Sequence, residues 1–155
     1  MRALTIAATV GAGLNGGVFF AFSTFVMTAL QRLRPRDGLV AMQQINREAP
    51  SPLFMTALFG TAVLCVVAGF DSVLDLDAPG NVERVAAAVS YLGAIVLTGV
   101  YHVPRNNALD TVDPDSSEAE LTWLVFARDW TRWNHLRTLA CLFSAILFAL
   151  SLGRG

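Results

Sequence analysis

Charged residues are absent from four long stretches of this chain, and apolar side chains dominate each of them. The stretches cover residues 3–31, 49–70, 85–104 and 138–153. A helix needs roughly 20 apolar residues, within a range of about 17–25, to cross the hydrocarbon core of a bilayer. Three stretches reach that length, and the last reaches it if its helix begins near Trp133. The pattern therefore predicts membrane-spanning helices over about residues 3–31, 50–70, 82–103 and 133–152.

The composition agrees with a membrane protein. Hydrophobic residues make up 54% of the 155 residues and charged residues 15%, whereas a soluble domain carries about 25% charged residues. The first apolar stretch continues well beyond the roughly 7–15 apolar residues of a signal peptide, so we interpret it as a retained helix. A net charge of −1 argues against nucleic acid as a partner. We expect one all-α transmembrane domain over residues 1–155, an integral membrane four-helix bundle.

The connection between the third and fourth spans carries an additional helix signal. Four aromatic residues recur at spacings of three, four and three, which places them on one helical face: Trp123, Phe126, Trp130 and Trp133. Such a stripe suits either a membrane-interface belt or the wall of a ligand site. Ser117 and Glu120 have the spacing of a capping box at a helix start. We therefore predict an amphipathic interfacial helix near residues 115–132, separate from the spans.

The distribution of arginine predicts the orientation in the cell membrane. Seven arginines lie in the first and third loops, three lie in the termini and the second loop, and Arg137 ends the third loop. Because positive residues favour the cytoplasmic side, we expect loops one and three to be cytoplasmic and both termini to be outside.

The first span contains polar and small residues that suggest close helix packing. Gly13 and Gly17 form a GxxxG pair, which lets another helix approach closely in lipid. Asn15 lies between them, and a polar side chain in a membrane needs a partner or a cavity. Either an interhelical hydrogen bond or a ligand pocket would explain it. The sequence leaves the oligomeric state open.

Alternating spans bring "YHVPRNNALD" (residues 101–110) and "WTRWNHLRT" (residues 130–138) to the same side of the membrane. Asn46 in the first loop belongs to that side too. Hydrogen-bond donors, an imidazole and aromatic surface together are typical of a small-molecule site. Three residues are candidates for catalysis: Asn134, His135 and Arg137. Seven others are candidates for substrate binding: Asn15, Asn46, His102, Asn106, Asn107, Trp130 and Trp133.

Four segments resemble the anthrone oxygenase-like family of small four-span membrane proteins. They are "GGVFFAFSTFVM", "MQQINREAPSPLFMTALFGT", "VPRNNALD" and "WTRWNHLRTLA", and the similarity extends from about residue 5 to 150. The resemblance implies oxidation of an anthrone to an anthraquinone with O₂ and without an evident cofactor, as in polyketide pathways. By motif, it carries over Asn106, Asn107, Trp133, Asn134, His135 and Arg137.

The candidate residues suit this monooxygenase chemistry. An imidazole can act as a general base near neutral pH, so His135 would take the acidic C–H proton of a flat phenolic substrate. Asn134 and Arg137 would stabilise the oxyanion that forms.

Two alternatives remain at this point. The chain could be a scaffold or transporter-like protein that binds a hydrophobic ligand without catalysis. Alternatively, His102 and His135 could share a haem or a metal ion. The sequence shows no other metal or cofactor motif.

Overall fold

Five helices and no strand form the part of the chain that the computed structural model describes, residues 1–154. We label them α1 (Arg2–Gln31), α2 (Pro35–Glu48), α3 (Pro52–Val73), α4 (Asn81–Asp110) and α5 (Ala119–Leu152). All except α2 are long and apolar enough to cross a membrane. The predicted all-α fold with four spanning helices is confirmed.

The four spanning helices form a closed ring in which neighbours along the chain are neighbours in space. α1 packs against α3 and α5, and α4 packs against the same two helices. Many of the buried side chains between them are small, including Ala8, Ala12, Ala68 and Ala87. Large apolar residues instead cover the outer surface, where Val10 is 65% exposed. This inside-out arrangement suits a bundle surrounded by lipid.

Close helix contacts in α1 occur at Gly11 and Gly16. A Cβ added at Gly11 would lie 2.1 Å from the Thr61 hydroxyl oxygen, and one at Gly16 would lie 3.0 Å from Leu142. Within the described residues, Gly13 and Gly17 have nothing within 4 Å of such a Cβ. The expectation that the Gly13/Gly17 pair mediates helix packing is therefore wrong within this chain. The motif has the right spacing, but its face points outward.

The third spanning helix does not end near residue 103, as expected from the sequence, because α4 continues through Pro104 to Asp110. A proline normally interrupts a helix, since it lacks an amide donor and its ring clashes with the carbonyl four residues earlier. Here a π-helical turn over Thr98–His102 directly precedes it. Such a turn changes the local hydrogen-bonding pattern and lets the helix continue.

The separate helix expected near residues 115–132 does not form: residues 115–118 lie in turns, and residues 119–132 are the first turns of α5 itself. No glycine or proline occurs between Ala119 and Leu152, so nothing in the sequence ends the helix at the membrane surface. The separate amphipathic helix is α2, in the connection between the first two spans. It buries Leu39 and Met42 against the aromatic residues of α5.

Side-chain hydrogen bonds attach α2 to the end of α4. The Gln43 amide donates to the carbonyls of Leu109 and Val112, at 2.9 Å each. Both prolines at the start of α2 and α3 occupy first-turn positions, where the missing donor costs nothing. We call the end of the bundle where α2 lies the pocket end.

Candidate functional site

A cavity of about 250 Å³ opens between the helices at the pocket end. All five helices contribute to its wall, and apolar side chains form most of it. Its polar lining residues are few: Asn46, Thr98, His102, Asn106, Asn107, Asp110 and Arg137. A mainly apolar cavity with a small number of polar groups is the usual makeup of a small-molecule site.

Two π-helical turns lie beside this cavity, at Phe22–Val26 in α1 and at Thr98–His102 in α4. Residues of both turns line it, including Phe22 and His102. A π turn inserts extra backbone into a helix and redirects the side chains that follow, which is why such turns are frequent at functional sites. The two turns therefore account for the presence of a cavity in an otherwise regular bundle.

Arg137 is the only arginine among the described residues that lines the cavity, and it is almost fully buried, at 5% exposure. Its Nε and Nη2 donate to the Asn134 Oδ1 at 3.1 and 2.6 Å, and its Nη1 donates to the Thr98 hydroxyl at 3.3 Å. The guanidinium carbon lies 4.3 Å from the ring centre of Phe19 and 5.2 Å from that of Trp130. Among the described residues, no carboxylate pairs with it.

Asn134 holds this arginine in place. Its amide nitrogen donates to the Phe19 carbonyl at 2.7 Å and to the Ser23 hydroxyl at 2.8 Å. These two bonds use the amide's N–H groups, so its oxygen is fixed toward Arg137. Asn134 is fully buried and does not line the cavity. It is a positioning residue that acts through the guanidinium.

His102 lines the same cavity. Its Nδ1 lies 3.4 Å from the Leu97 carbonyl. Because a carbonyl only accepts hydrogen bonds, that contact places the proton on Nδ1 and leaves the lone pair of a neutral ring on Nε2. Nε2 is buried and has no hydrogen-bond partner among residues 1–154. The Trp130 ring packs edge-on against the imidazole, with the ring centres 5.2 Å apart.

Amide groups form the outer rim of the cavity. The Asn106 side-chain oxygen accepts a hydrogen bond from the Trp130 indole at 2.8 Å, and the Asn46 amide lies 3.5 Å from the Asn106 carbonyl. Asn107 and Asp110 complete the rim. One carboxylate oxygen of Asp110 is buried without a partner in the described part of the chain.

Six of the residues singled out from the sequence line this one cavity: Asn46, His102, Asn106, Asn107, Trp130 and Arg137. Asn15 lies elsewhere, buried in the bundle and donating to the Gly11 and Ala57 carbonyls. Trp133 is 41% exposed and packs against Tyr101 on the outer surface.

The expected place of His135 in the pocket is wrong. His135 is exposed and does not line the cavity. It precedes Arg137 by two positions, and residues two apart in a helix do not share a face. His102 is therefore the histidine at the cavity. The two histidines do not face one site together, so the idea of a shared haem or metal ion loses its geometric basis.

Sequence reasoning missed two polar lining residues, Thr98 and Asp110. Thr98 lies four residues before His102, a helical spacing that places both on one face. Asp110 ends the quoted "YHVPRNNALD" segment, but the expected helix end near residue 103 placed it in a loop. Among residues 1–154, no three His, Cys, Asp or Glu side chains are grouped as a metal site requires.

Comparison with known proteins gives one match. The family described as anthrone oxygenase matches residues 52–147, which is more than half of the chain and includes His102, Trp130, Asn134 and Arg137. No curated protein and no solved structure matched this chain. The matched range contains two of the four spanning helices, most of a third and most of the polar cavity wall. The chain belongs to the anthrone oxygenase family.

Proposed function

We propose that this protein is a membrane oxygenase that uses O₂ to oxidise a flat, hydrophobic phenolic substrate of the anthrone type, without a cofactor. One observation carries the proposal: His102, whose buried Nε2 has no hydrogen-bond partner in the described part of the chain, and Arg137, which pairs with no carboxylate there, line the same mainly apolar cavity. Family membership supports the oxygenase class. A base and an oxyanion-binding group are what cofactor-free oxidation of an acidic C–H compound requires.

The first step is proton abstraction. An anthrone carries an acidic CH₂ group opposite its ring carbonyl, and the Nε2 of His102 takes one of these protons. The electron pair moves to the carbonyl oxygen and gives an enolate. Arg137 stabilises that oxygen, and because Asn134 and Thr98 already hold the guanidinium, little reorganisation accompanies the charge.

The second step transfers one electron from the enolate to O₂, which gives a substrate radical and superoxide. The two combine to form a carbon–oxygen bond, and the resulting peroxide is protonated. Loss of the remaining C–H proton then forms the new carbonyl as the O–O bond breaks and water leaves. One oxygen atom enters the quinone and the other becomes water, so no external reductant is needed.

Exchange of the two histidines for glutamine tests this assignment. We expect His102→Gln to lower turnover by about 10²–10⁴-fold, because general-base catalysis typically contributes that much. His135→Gln is the matched control, since His135 lies outside the cavity. The assay follows O₂ uptake and quinone absorbance in nanodiscs with emodin anthrone as the first probe. Thermal unfolding of each variant shows whether it folds.

Two results would count against the proposed function. Full activity in His102→Gln, with loss of activity in His135→Gln, would identify the exposed His135 as the base. Tight binding of anthrones to the wild-type protein without any O₂ uptake would instead identify a hydrophobic-ligand-binding protein.

We also propose that the pocket end faces the cytoplasm and that both termini lie outside, because most arginines flank the pocket end. Single cysteines introduced at Arg36 and at Arg154, in a background without Cys65 and Cys141, test this orientation. An impermeant thiol reagent added to intact cells should label only position 154. Labelling of position 36 alone would reverse the orientation.

A further inference from the structure

The buried guanidinium of Arg137 has capacity for a ligand that the protein itself does not use. A guanidinium has five N–H groups and stays protonated in proteins. Three of them donate to Asn134 and Thr98, so two remain. Both of these protein partners are neutral, and an ion without a counter-charge is costly to bury.

The aromatic faces of Phe19 and Trp130 partly compensate for this charge. The guanidinium carbon lies 4.3 and 5.2 Å from their ring centres, within the roughly 6 Å of a cation–π contact. Such a contact offsets only part of the free energy that it costs to bury an unpaired ion. The site is therefore built to gain from a negative charge.

The charged and titratable groups around the cavity are distributed along its length. Arg137 contacts Thr98, and His102 follows one turn later on α4. Among residues 1–154, Asp110 is the only carboxylate that lines the cavity. It lies twelve positions after Thr98, roughly 18 Å further along a helix at about 1.5 Å per residue. The inner end of the cavity is thus positive and the outer rim is negative.

We infer that this cavity binds its aromatic ligand as an organic anion, with the anionic oxygen on the Arg137 guanidinium and the uncharged end toward Asp110. The choice of an aromatic skeleton rests on the proposed function; the choice of an anion rests on Arg137 and its neutral partners. An ion pair is much stronger in an apolar cavity than in water, so the site favours a phenolate or enolate over its neutral parent.

A dye that is already oxidised tests this inference without any turnover. 2-Hydroxyanthraquinone changes colour when its phenol ionises, so its visible spectrum reports the charge of the bound form. In phosphatidylcholine nanodiscs under argon, we expect the wild-type protein to bind the phenolate at least roughly tenfold more tightly than the phenol. That preference lowers the pKa of the bound dye by about one unit or more.

Matched ligands and variants assign the effect. 2-Methoxyanthraquinone, which cannot ionise, should show no pH-dependent affinity. Arg137→Gln should abolish the preference for the phenolate, while Arg132→Gln, an exposed arginine on the same helix, should leave it intact. If Arg137→Gln does not fold, Arg137→Lys keeps the charge and should retain part of the preference for the phenolate. The pH dependence of the wild-type affinity then shows by itself whether the site prefers the anion.

Three results would overturn the inference: no binding of the dye at any pH, equal affinity for its two forms, or an unchanged preference in Arg137→Gln. Displacement of the dye by phosphatidylglycerol, lost in Arg137→Gln, would also overturn it and identify a lipid phosphate as the occupant. An anion preference without O₂ uptake from any anthrone would support the anion site while removing the proposed oxygenase function. O₂ uptake without an anion preference would support the proposed oxygenase function and overturn the anion site.

Discussion

The two halves of this bundle differ in the size of the side chains buried between their helices. Away from the pocket end, Gly11 and Gly16 allow contacts that a methyl group would block, and several of the buried residues are alanines. At the pocket end, the second cluster of buried residues is dominated by large side chains such as Trp123, Trp130 and Met42. The π-helical turns lie between these clusters, in the helices that line the cavity.

The halves also differ in the kind of polar group that they leave without a partner. We call the half away from the pocket end the packed half and the other the pocket half. In the packed half, the buried polar atoms without a partner among the described residues are neutral oxygens, on Asn15 and Ser144. In the pocket half they are an imidazole nitrogen of His102 and a carboxylate oxygen of Asp110, two residues that line the same cavity as Arg137. Groups of the second kind can move protons or bind charge. The packed half therefore contributes close helix contacts, whereas the pocket half contains the groups that can act on a ligand.

The largest effect on stability should come from Asn134→Leu, which is close to the native side chain in volume. The change removes the acceptor for two Arg137 donors and the donor to the Phe19 carbonyl. We expect a loss of about 2–4 kcal/mol in unfolding free energy, because buried charged and polar groups lose their partners. Anion binding should weaken as well, since Arg137 loses its support.

Ser144→Ala is the control for that variant in the packed half. The Ser144 hydroxyl is buried and has no partner within the described residues, so its removal should leave the free energy of unfolding unchanged or raise it. Reversible unfolding in mixed micelles measures both variants. Equal effects from the two substitutions would show that the network around Arg137 contributes nothing beyond ordinary packing.

A smaller effect should separate the inner and outer faces of α1. Gly11→Ala places a methyl group 2.1 Å from the Thr61 hydroxyl and 3.0 Å from its methyl carbon, so rotation of Thr61 cannot relieve the clash. We expect a loss of about 1–3 kcal/mol from overpacking. Gly13→Ala meets only open space and should be neutral or stabilising, since alanine is the better helix former. The opposite order would place the helix contact at the GxxxG pair.

The membrane-spanning pattern was the most predictable part of this structure, because the cost of charge in lipid leaves long uncharged stretches. The details that depend on contacts between helices were not predictable. The outward face of Gly13 and Gly17 is one example, since spacing alone does not say which face of a helix meets a neighbour. The continuation of α4 through Pro104 is another, because it depends on a π turn that has no clear sequence signature.

In the candidate site too, the general location was predictable from the sequence, but the histidine that lines the cavity was not. The residues of "YHVPRNNALD" and "WTRWNHLRT" converge at one end of the bundle, as alternating spans require, and Arg137 lies at the centre of the polar network. The choice between His102 and His135 depended on the rotation of α4 and α5 about their axes. The motif placed His135 beside Asn134, whereas the packing turns His135 outward and buries His102 at 1% exposure.

A third variant tests how α2 is held over the pocket half. Gln43→Ala removes a side chain that donates to two carbonyls at the end of α4. We expect a loss of about 1–2 kcal/mol, because at least one of these acceptors is left buried without a donor. Gln44→Ala is the control, since Gln44 contacts only the exposed Glu48 of its own helix. Hydrogen exchange of the α2 amides measures the difference, and equal protection in both variants would contradict it.

The smallest effect should come from the ion pair that joins α2 to the loop before α5. Arg36 donates to both carboxylate oxygens of Asp115, at 2.6 and 3.2 Å. This hydrogen bond and the nearby positive charge lower the pKa of Asp115 from its ordinary value of 3.8. Because the folded-state pKa is the lower one, the pair stabilises the fold above the ordinary value, and the contribution disappears as the pH falls through the folded-state pKa.

Arg36→Gln should therefore lower the melting temperature slightly at pH 7, and the difference from the wild type should shrink as the pH falls below 3.8. The effect should be small at any pH, because both side chains are well exposed and water and salt screen the pair. Arg34→Gln is the matched control. Arg34 pairs with Asp37 within the same helix, so its loss does not release α2 from the loop. If both variants had the same pH-dependent effect, the connection between α2 and the loop would contribute nothing to the stability of the pocket half.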